Sequence, residues 1–305
     1  MHLTTQVANL LDLRFRDYLH TAMAKHPSMF NRWCDIETAT SKTMYQSGIS
    51  ELPRPASVGE GAELSEAERV EGPTQSWTAG KYGYRVLVSR ELLEDEDFPV
   101  FKETAQAVGS AMFHLLEAEG IEDINNAFTT ANSPGGTGSD EYLCQQTHVA
   151  WEGTSGSSQN NAPASAVTLG LDAFWDAYNT MVALKNTQGD PALKIPRYLM
   201  VPFALRRKSS EILNSQDVPF YASNETNAIR ELGIERIDMP YASSTTAWFL
   251  KTADNPIRWY WKRQVDIEQE KLMSRDSMAW QVTVRFSHKP SLMGWMEIYG
   301  SAGTA

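Results

Sequence analysis

Apolar positions along this 305-residue chain switch between a helical and a strand period, and the switches mark out its elements. Val7, Leu10, Leu11, Phe15, Tyr18, Leu19 and Met23, with Arg14 beside them, share one face of an amphipathic helix, and Pro27 lies past it as a stop signal. A more extended stretch follows through Trp33 and Ile36. Tyr82, Tyr84, Val86 and Val88 alternate with Gly83, Arg85 and Leu87, which predicts a strand. Ser89 then offers an N-cap and Glu91 an acid in the first turn, predicting a short acidic helix that ends near Phe98-Pro99. Proline is tolerated at a first helical position, so a second helix begins there. Phe101, Ala105, Val108, Met112, Leu115, Leu116, Ile121, Ile124 and Phe128 keep its helical period, and about thirty residues of helix span roughly 45 Å. Gly109 and Gly120 weaken it slightly. Such a helix, with one apolar stripe, predicts a strut against a sheet.

Ser133 to Asp140, SPGGTGSD, ends that helix, and a loose stretch occupies Glu152 to Ser165. Leu169, Leu171, Phe174, Trp175, Tyr178, Met181, Val182 and Leu184 predict another helix, broken at Gly189-Asp190-Pro191. Pro196 to Pro202 reads as a short buried strand. Ala204 to Leu213 reads as a helix exposing Arg206, Arg207 and Lys208. The remaining chain is strand-like. Short strands are expected at Ala247–Leu250 and Ile257–Trp261, a charged one at Val265–Glu270, and a hairpin-like pair from Met278–Phe286 and Leu292–Ile298 around Lys289-Pro290.

Residues 51 to 73, ELPRPASVGEGAELSEAERVEGP, fit neither period. They hold three prolines, three glycines and six glutamates, and their only cations are Arg54 and Arg69. Such a segment buries little surface by itself. Two readings remain open: a disordered surface loop, or an arm that becomes ordered against another subunit.

Composition narrows the function. Apolar residues make up 42% of the chain, enough for a core, and the net charge of −11 argues against a general nucleic-acid binder. No apolar run has the length of a membrane span, so no membrane partner is expected. The N-terminus has no basic region followed by an apolar stretch, so it does not read as a secretory signal, and a cytoplasmic chain is expected. Cys34 and Cys144 lack metal-ligand spacing and read as reduced thiols, and the Asn224-Glu225-Thr226 sequon reads as chance.

Candidate chemistry is sparse. The six histidines form no close ligand pair, and His114 reads as a packed histidine inside the long helix. Cys144 and His148 stand at CxxxH spacing, a weak thiol–imidazole hint. SPGGTGSD lacks the Lys-Ser/Thr of a phosphate loop, and the Gly153–Ser157 run departs from GxSxG. Glu94, Asp95, Glu96 and Asp97 lack the alternating ligands of a cation loop and read as a solvated helix end. Arg258-Trp259-Tyr260-Trp261-Lys262-Arg263 mixes cations and aromatics as single-strand binders do, but core aromatics with a cationic edge explain it as well. No catalytic, cofactor-binding or metal residue is expected, and the chain does not read as an enzyme.

The order of segments resembles the major capsid proteins of tailed bacteriophages, which share the HK97-like fold. YRVLVSRELLEDED, Tyr84 to Asp97, looks like that family's strand leading into its spine-helix region. Tyr142-Leu143-Cys144 with Thr147-His148 resembles an element of Mu-type major head subunits. PRYLMVPFALRRKSSEILNS, Pro196 to Ser215, looks like the family's strand-Pro-helix element. Ser277 to Ser301, with Arg285, Trp295 and Gly300-Ser301, looks like its final strands.

The resemblance implies an α+β fold. Its parts would be an N-terminal arm over residues 1–47, an extended E-loop hairpin over 48–86, and a peripheral domain over 87–140 with its spine helix at about 99–130. An axial domain would follow over 141–263, and return strands over 264–305. It implies self-assembly as pentamers and hexamers into an icosahedral head around double-stranded DNA. A portal, a separate scaffold or protease, and a decoration protein are implied partners; the virion is the implied location, with assembly in the host cytoplasm. Glu60, Glu63, Glu66, Glu68, Arg54 and Arg69 become the expected inter-subunit contacts of the E-loop. Arg206, Arg207, Lys208, Arg258, Lys262, Arg263 and Lys271 are their candidate basic partners. Some relatives link an E-loop lysine covalently to a neighbour. Residues 51–73 contain no lysine and Lys81 falls near the expected base, so a non-covalent shell is expected. The amphipathic N-terminus leads almost at once to the E-loop, so a cleaved scaffolding segment does not fit within this numbering. The alternatives are an encapsulin-like compartment shell, a hydrolase with a non-local active site, and a free single-strand binder.

Overall fold

The computed structural model describes residues 3–64, 66–89, 98–217, 226–272 and 277–304, and side chains from residue 11 onward within its first helix. The expected acidic helix over residues 90–97, with Glu91 and Glu94 to Asp97, lies outside the described residues, as do Asn224 and Glu225 of the sequon.

Helix α1 (Leu3–Met23) and the 28-residue helix α2 (Phe98–Asn125) pack together over a four-stranded sheet. Leu11, Phe15 and Leu19 of α1 are buried, so its apolar stripe is used within the subunit. Trp280 of the sheet collects both helices: Phe15 stacks on it at 5.1 Å and Phe101 meets it edge-on at 5.4 Å. Gly109 marks the close crossing, because a Cβ there would lie 2.5 Å from the Leu19 carbonyl oxygen. The glycine that weakens α2 as a helix is what lets α1 lie against it. His114 is exposed beside Tyr241 rather than packed in the core, a correction to its expected role.

That sheet contains β1 (Cys34–Thr38), β10 (Ile257–Leu272), β11 (Ser277–Pro290) and β4 (Gly80–Ser89), in that order. β1 runs parallel to β10, and the other pairs are antiparallel. The two strands expected at 257–261 and 265–270 are one strand, β10, with register shifts on either side of Arg263. The charged residues between them suggested a break, yet an irregular ladder bends the strand without ending it. Residues 80–86 belong to β4 and pair with β11.

A second four-stranded sheet runs β12 (Ile298–Ser301), β9 (Trp248–Lys251), β7 (Tyr198–Pro202) and β8 (Glu235–Met239). Helices α3 (Leu171–Val182) and α4 (Arg206–Asn214) supply Phe174, Ala177, Met181, Ile212 and Leu213 to a core shared with Leu199, Val201, Trp248, Leu250 and Tyr299. The expected pairing of Leu292–Ile298 with β11 does not occur. After Pro290 the chain turns, Gly294–Glu297 forms a short 3-10 helix, and Ile298–Ser301 crosses to pair with β9. The apolar run there is buried because it bridges the two sheets, and burial alone imitates a strand.

Two smaller ribbons complete the fold: β2 (Thr43–Ile49) with β3 (Glu71–Thr78), and β5 (Ala131–Pro134) with β6 (Asp140–Tyr142). Among the described residues, no helix is long and apolar enough to cross a membrane.

Candidate functional site: a docked hairpin with an uncovered outer face

The β2–β3 ladder runs from Thr43 opposite Thr78 to Ile49 opposite Glu71. Side-chain alternation gives it two unlike faces. On the inner face Trp77 is 1% exposed and meets Tyr260 of β10 edge-on at 5.3 Å, with Met44 packed against the pair. Gln75 donates from Nε2 to the Asn132 carbonyl at 2.8 Å. Farther out, the ring of Trp151 lies against Gly48 and Gly72. A Cβ at either glycine would come within 2.5 Å of a ring carbon. The outer face carries Tyr45, 73% exposed, between the hydroxyl pairs Thr43–Thr78 and Ser47–Thr74, and Ile49, 57% exposed, beyond them opposite Glu71.

The connection over residues 50–70 is clamped at its base. Ser50 is buried, and its hydroxyl accepts from the Val70 amide at 2.8 Å. Arg69 donates from Nε to the Ser50 carbonyl at 2.9 Å. The Glu51 amide donates to Thr187 Oγ1 at 3.1 Å, and its carboxylate accepts from Asn186. Arg54 pairs with Asp190 at 2.5 Å. Past this clamp Glu60, Glu63, Glu66 and Glu68 are exposed, as are Leu52, Val58 and Leu64. Among the described residues none of these four glutamates has an ion pair. Arg54 and Arg69 therefore hold the arm to its own subunit, while the glutamates beyond them face solvent.

The basic residues are dispersed rather than gathered into one patch. Arg206 and Arg207 sit on α4, paired with Asp238 at 3.5 Å and Glu211 at 2.8 Å; Lys208 is half-buried on the same helix. Arg258 pairs with Glu37 of β1 at 2.9 Å, Lys262 donates to the Thr40 carbonyl at 2.9 Å, and Arg263 donates to Thr283 at 2.6 Å. Lys271 is exposed near the far end of β10. Trp259 is fully buried, Tyr260 lies under Trp77, and Trp261 is half-buried. Both faces of the Arg258–Arg263 stretch are covered by the protein itself, so it offers no stacking platform for bases.

The CxxxH hint also dissolves. Cys144 is buried, and burial pushes its thiol well up. His148 is engaged elsewhere, with Nδ1 at 2.8 Å from Glu141 and Nε2 at 2.8 Å from Asn161.

Sequence reasoning missed one polar centre. His288 of β11 lies among Glu119, Glu122 and Asp123 of α2, with Tyr82 of β4 donating to Glu119 at 3.1 Å. Burial works against its charged form, but hydrogen bonds to Asp123 and Glu119 outweigh it and lift His288 to about 10. Burial and then the Glu119 charge raise Glu122, and burial followed by the Glu119 charge pushes Tyr82 to about 12. The one local signal was the helical spacing of Glu119, Glu122 and Asp123, which puts three carboxylates on one side of α2.

A family model described as phage capsid protein matches residues 72–297. No curated protein sequence matches the chain. Solved structures match nearly end to end at low identity. A chain from the capsid structure of cyanophage P-SCSP1u is 10% identical with a TM-score of 0.59, over 90% of this chain and 87% of that one. A chain from Microbacterium phage Oxtober96 is 12% identical with a TM-score of 0.56, over 90% and 91%. A chain of the bacteriophage JBD30 procapsid is 12% identical with a TM-score of 0.50, over 98% and 76%.

Proposed function

This chain belongs to the phage capsid protein family and is a structural major capsid protein with the HK97-like α+β fold, and on that premise we propose how its copies hold one another. Subunits gather as pentamers and hexamers and close into an icosahedral head around double-stranded DNA. The β2–β3 hairpin and its acidic connection lie across the adjacent subunit. The observation that carries this reading is the hairpin's asymmetry: its inner face is pinned by Trp77 and Trp151, while Tyr45, Ile49 and the glutamate tip have no cover within the described chain. An apolar patch rimmed by charge is the make-up of an interface core and its polar rim. Each copy both gives and receives a hairpin, so individually weak contacts add up around a closed shell.

The acidic tip meets basic side chains of the neighbour; of the candidates Arg206, Arg207 and Lys271 are exposed and Lys208, Arg258, Lys262 and Arg263 half-buried, and Arg206, Arg207, Arg258, Lys262 and Arg263 would exchange partners in their own chain for the glutamates. The shell is non-covalent at this arm, since residues 51–73 contain no lysine. An acidic subunit also suits a container that must release its DNA, because few cations are available to exchange for counterions. A portal, a separate scaffold or protease and a decoration protein complete the proposed partners, with assembly in the bacterial cytoplasm.

Reversing Glu63, Glu66 and Glu68 together to lysine tests the tip. The subunit is expected to keep its circular dichroism and melting temperature, because these residues are exposed and have no ion pair among the described residues, while sedimentation shows the yield of shells falling at least tenfold. Normal shells from this variant would remove the tip from the interface.

A further inference from the structure

The polar centre between the long helix and the sheet is unused by the assembly reading, and its geometry is that of a ligand set. We propose that Glu119, Glu122 and His288 bind a divalent transition-metal ion that fastens α2 to the sheet. Glu119 and Glu122 stand one helical turn apart, and β11 brings His288 to them from the other side. One ligand atom from each residue lies within 4.8 Å of the other two. His288 Nε2 is 3.3 Å from Glu119 Oε2 and 3.8 Å from Glu122 Oε2. Ligands about 2 Å from a tetrahedral ion stand roughly 3.3 Å from each other, so little movement closes the set.

The surroundings fit as well. Metal-bound imidazoles are oriented by an acceptor on the second nitrogen. Here Asp123 takes that position, 2.9 Å from Nδ1, and is itself held by Asn132 at 2.6 Å. Tyr82 fixes the Glu119 carboxylate from β4. Glu119, Glu122 and Asp123 face a single imidazole, and among the described residues no lysine or arginine pairs with them. A divalent ion in place of the Nε2 proton reduces this negative excess. One imidazole with two carboxylates favours Zn2+ or Mn2+ over Mg2+ and Ca2+. Glu122 is 53% exposed, which gives the ion a way in and leaves room for water ligands.

The test uses the full chain as a dispersed subunit, so its result is independent of shell formation. Chelator-stripped protein is dialysed against Zn2+, and in parallel Mn2+, and bound metal is measured by elemental analysis. One ion per chain is expected, with a higher melting temperature in its presence by mass action. Glu122→Gln should weaken binding at least tenfold yet melt like the parent without metal, since Glu122 is half exposed and does not hold Nδ1. His288→Asn should abolish binding. Absence of stoichiometric Zn2+ or Mn2+ binding would overturn the proposal, as would unchanged affinity in Glu122→Gln, a readout that survives even if His288→Asn does not fold.

Discussion

Lys251, the last residue of β9 in the second sheet, is completely buried. Its Nζ donates to the Thr252 carbonyl at 2.9 Å and sits 4.9 Å from the centre of the Tyr198 ring. Burial pulls this lysine from 10.5 down to about 8, against the opposing pull of Glu297, Asp35 and Asp254. Below pH 8 the group is charged in both folded and unfolded chains, and its desolvation counts fully against folding. Between about 8 and 10.5 the folded chain has released a proton that the unfolded chain still holds, so this group makes stability rise with pH across that window. The separation corresponds to about 3 kcal/mol. Denaturant unfolding of wild type and Lys251→Met, from pH 7 to pH 10.5, should therefore show the gap shift by about that amount in favour of wild type. A gap independent of pH would contradict the assignment. No single residue in the sequence announces this site, because a lysine's burial is decided by the strands beside it. His288 is similar: its nearest acid partner lies 165 residues away, so only the carboxylate half of that centre was legible.

Among the elements, the long helix, the strand over residues 80–89 and the two helices over the second sheet were legible because their apolar periods are sustained and unambiguous. Short elements with mixed faces were not: β1 and β8 depend on neighbours contributed by distant chain. The hairpin was the least legible. Residues 51–73 are too polar to reveal any core, and their base is seated by polar contacts to distant chain and by Trp151, whose ring fills the space left open by Gly48 and Gly72. Gly72→Val should push that ring out of the hairpin and loosen its base. Overpacking of this kind costs about 1–3 kcal/mol. The expected readout is faster amide exchange in β2 and β3, with exchange in α2 unchanged. Equal protection in both proteins would mean the ring is not what seats the hairpin.

At the scale of the whole molecule, the subunit leaves one part of itself unfinished. Two cores satisfy the helices and sheets, and α1 is consumed in the first of them rather than reaching outward. The hairpin keeps Tyr45 and Ile49 in water on its outer face. The base of the arm is held by its own body, and in the proposed assembly its outer face and tip are what a second copy covers. Both native cysteines are buried, so an Ile49→Cys variant gives one accessible thiol on the outer face. Labelling it with a maleimide in dispersed subunits and in assembled shells measures that cover directly. The account predicts rapid modification of dispersed subunits and at least tenfold slower modification in shells, whereas equal rates in the two states would contradict it.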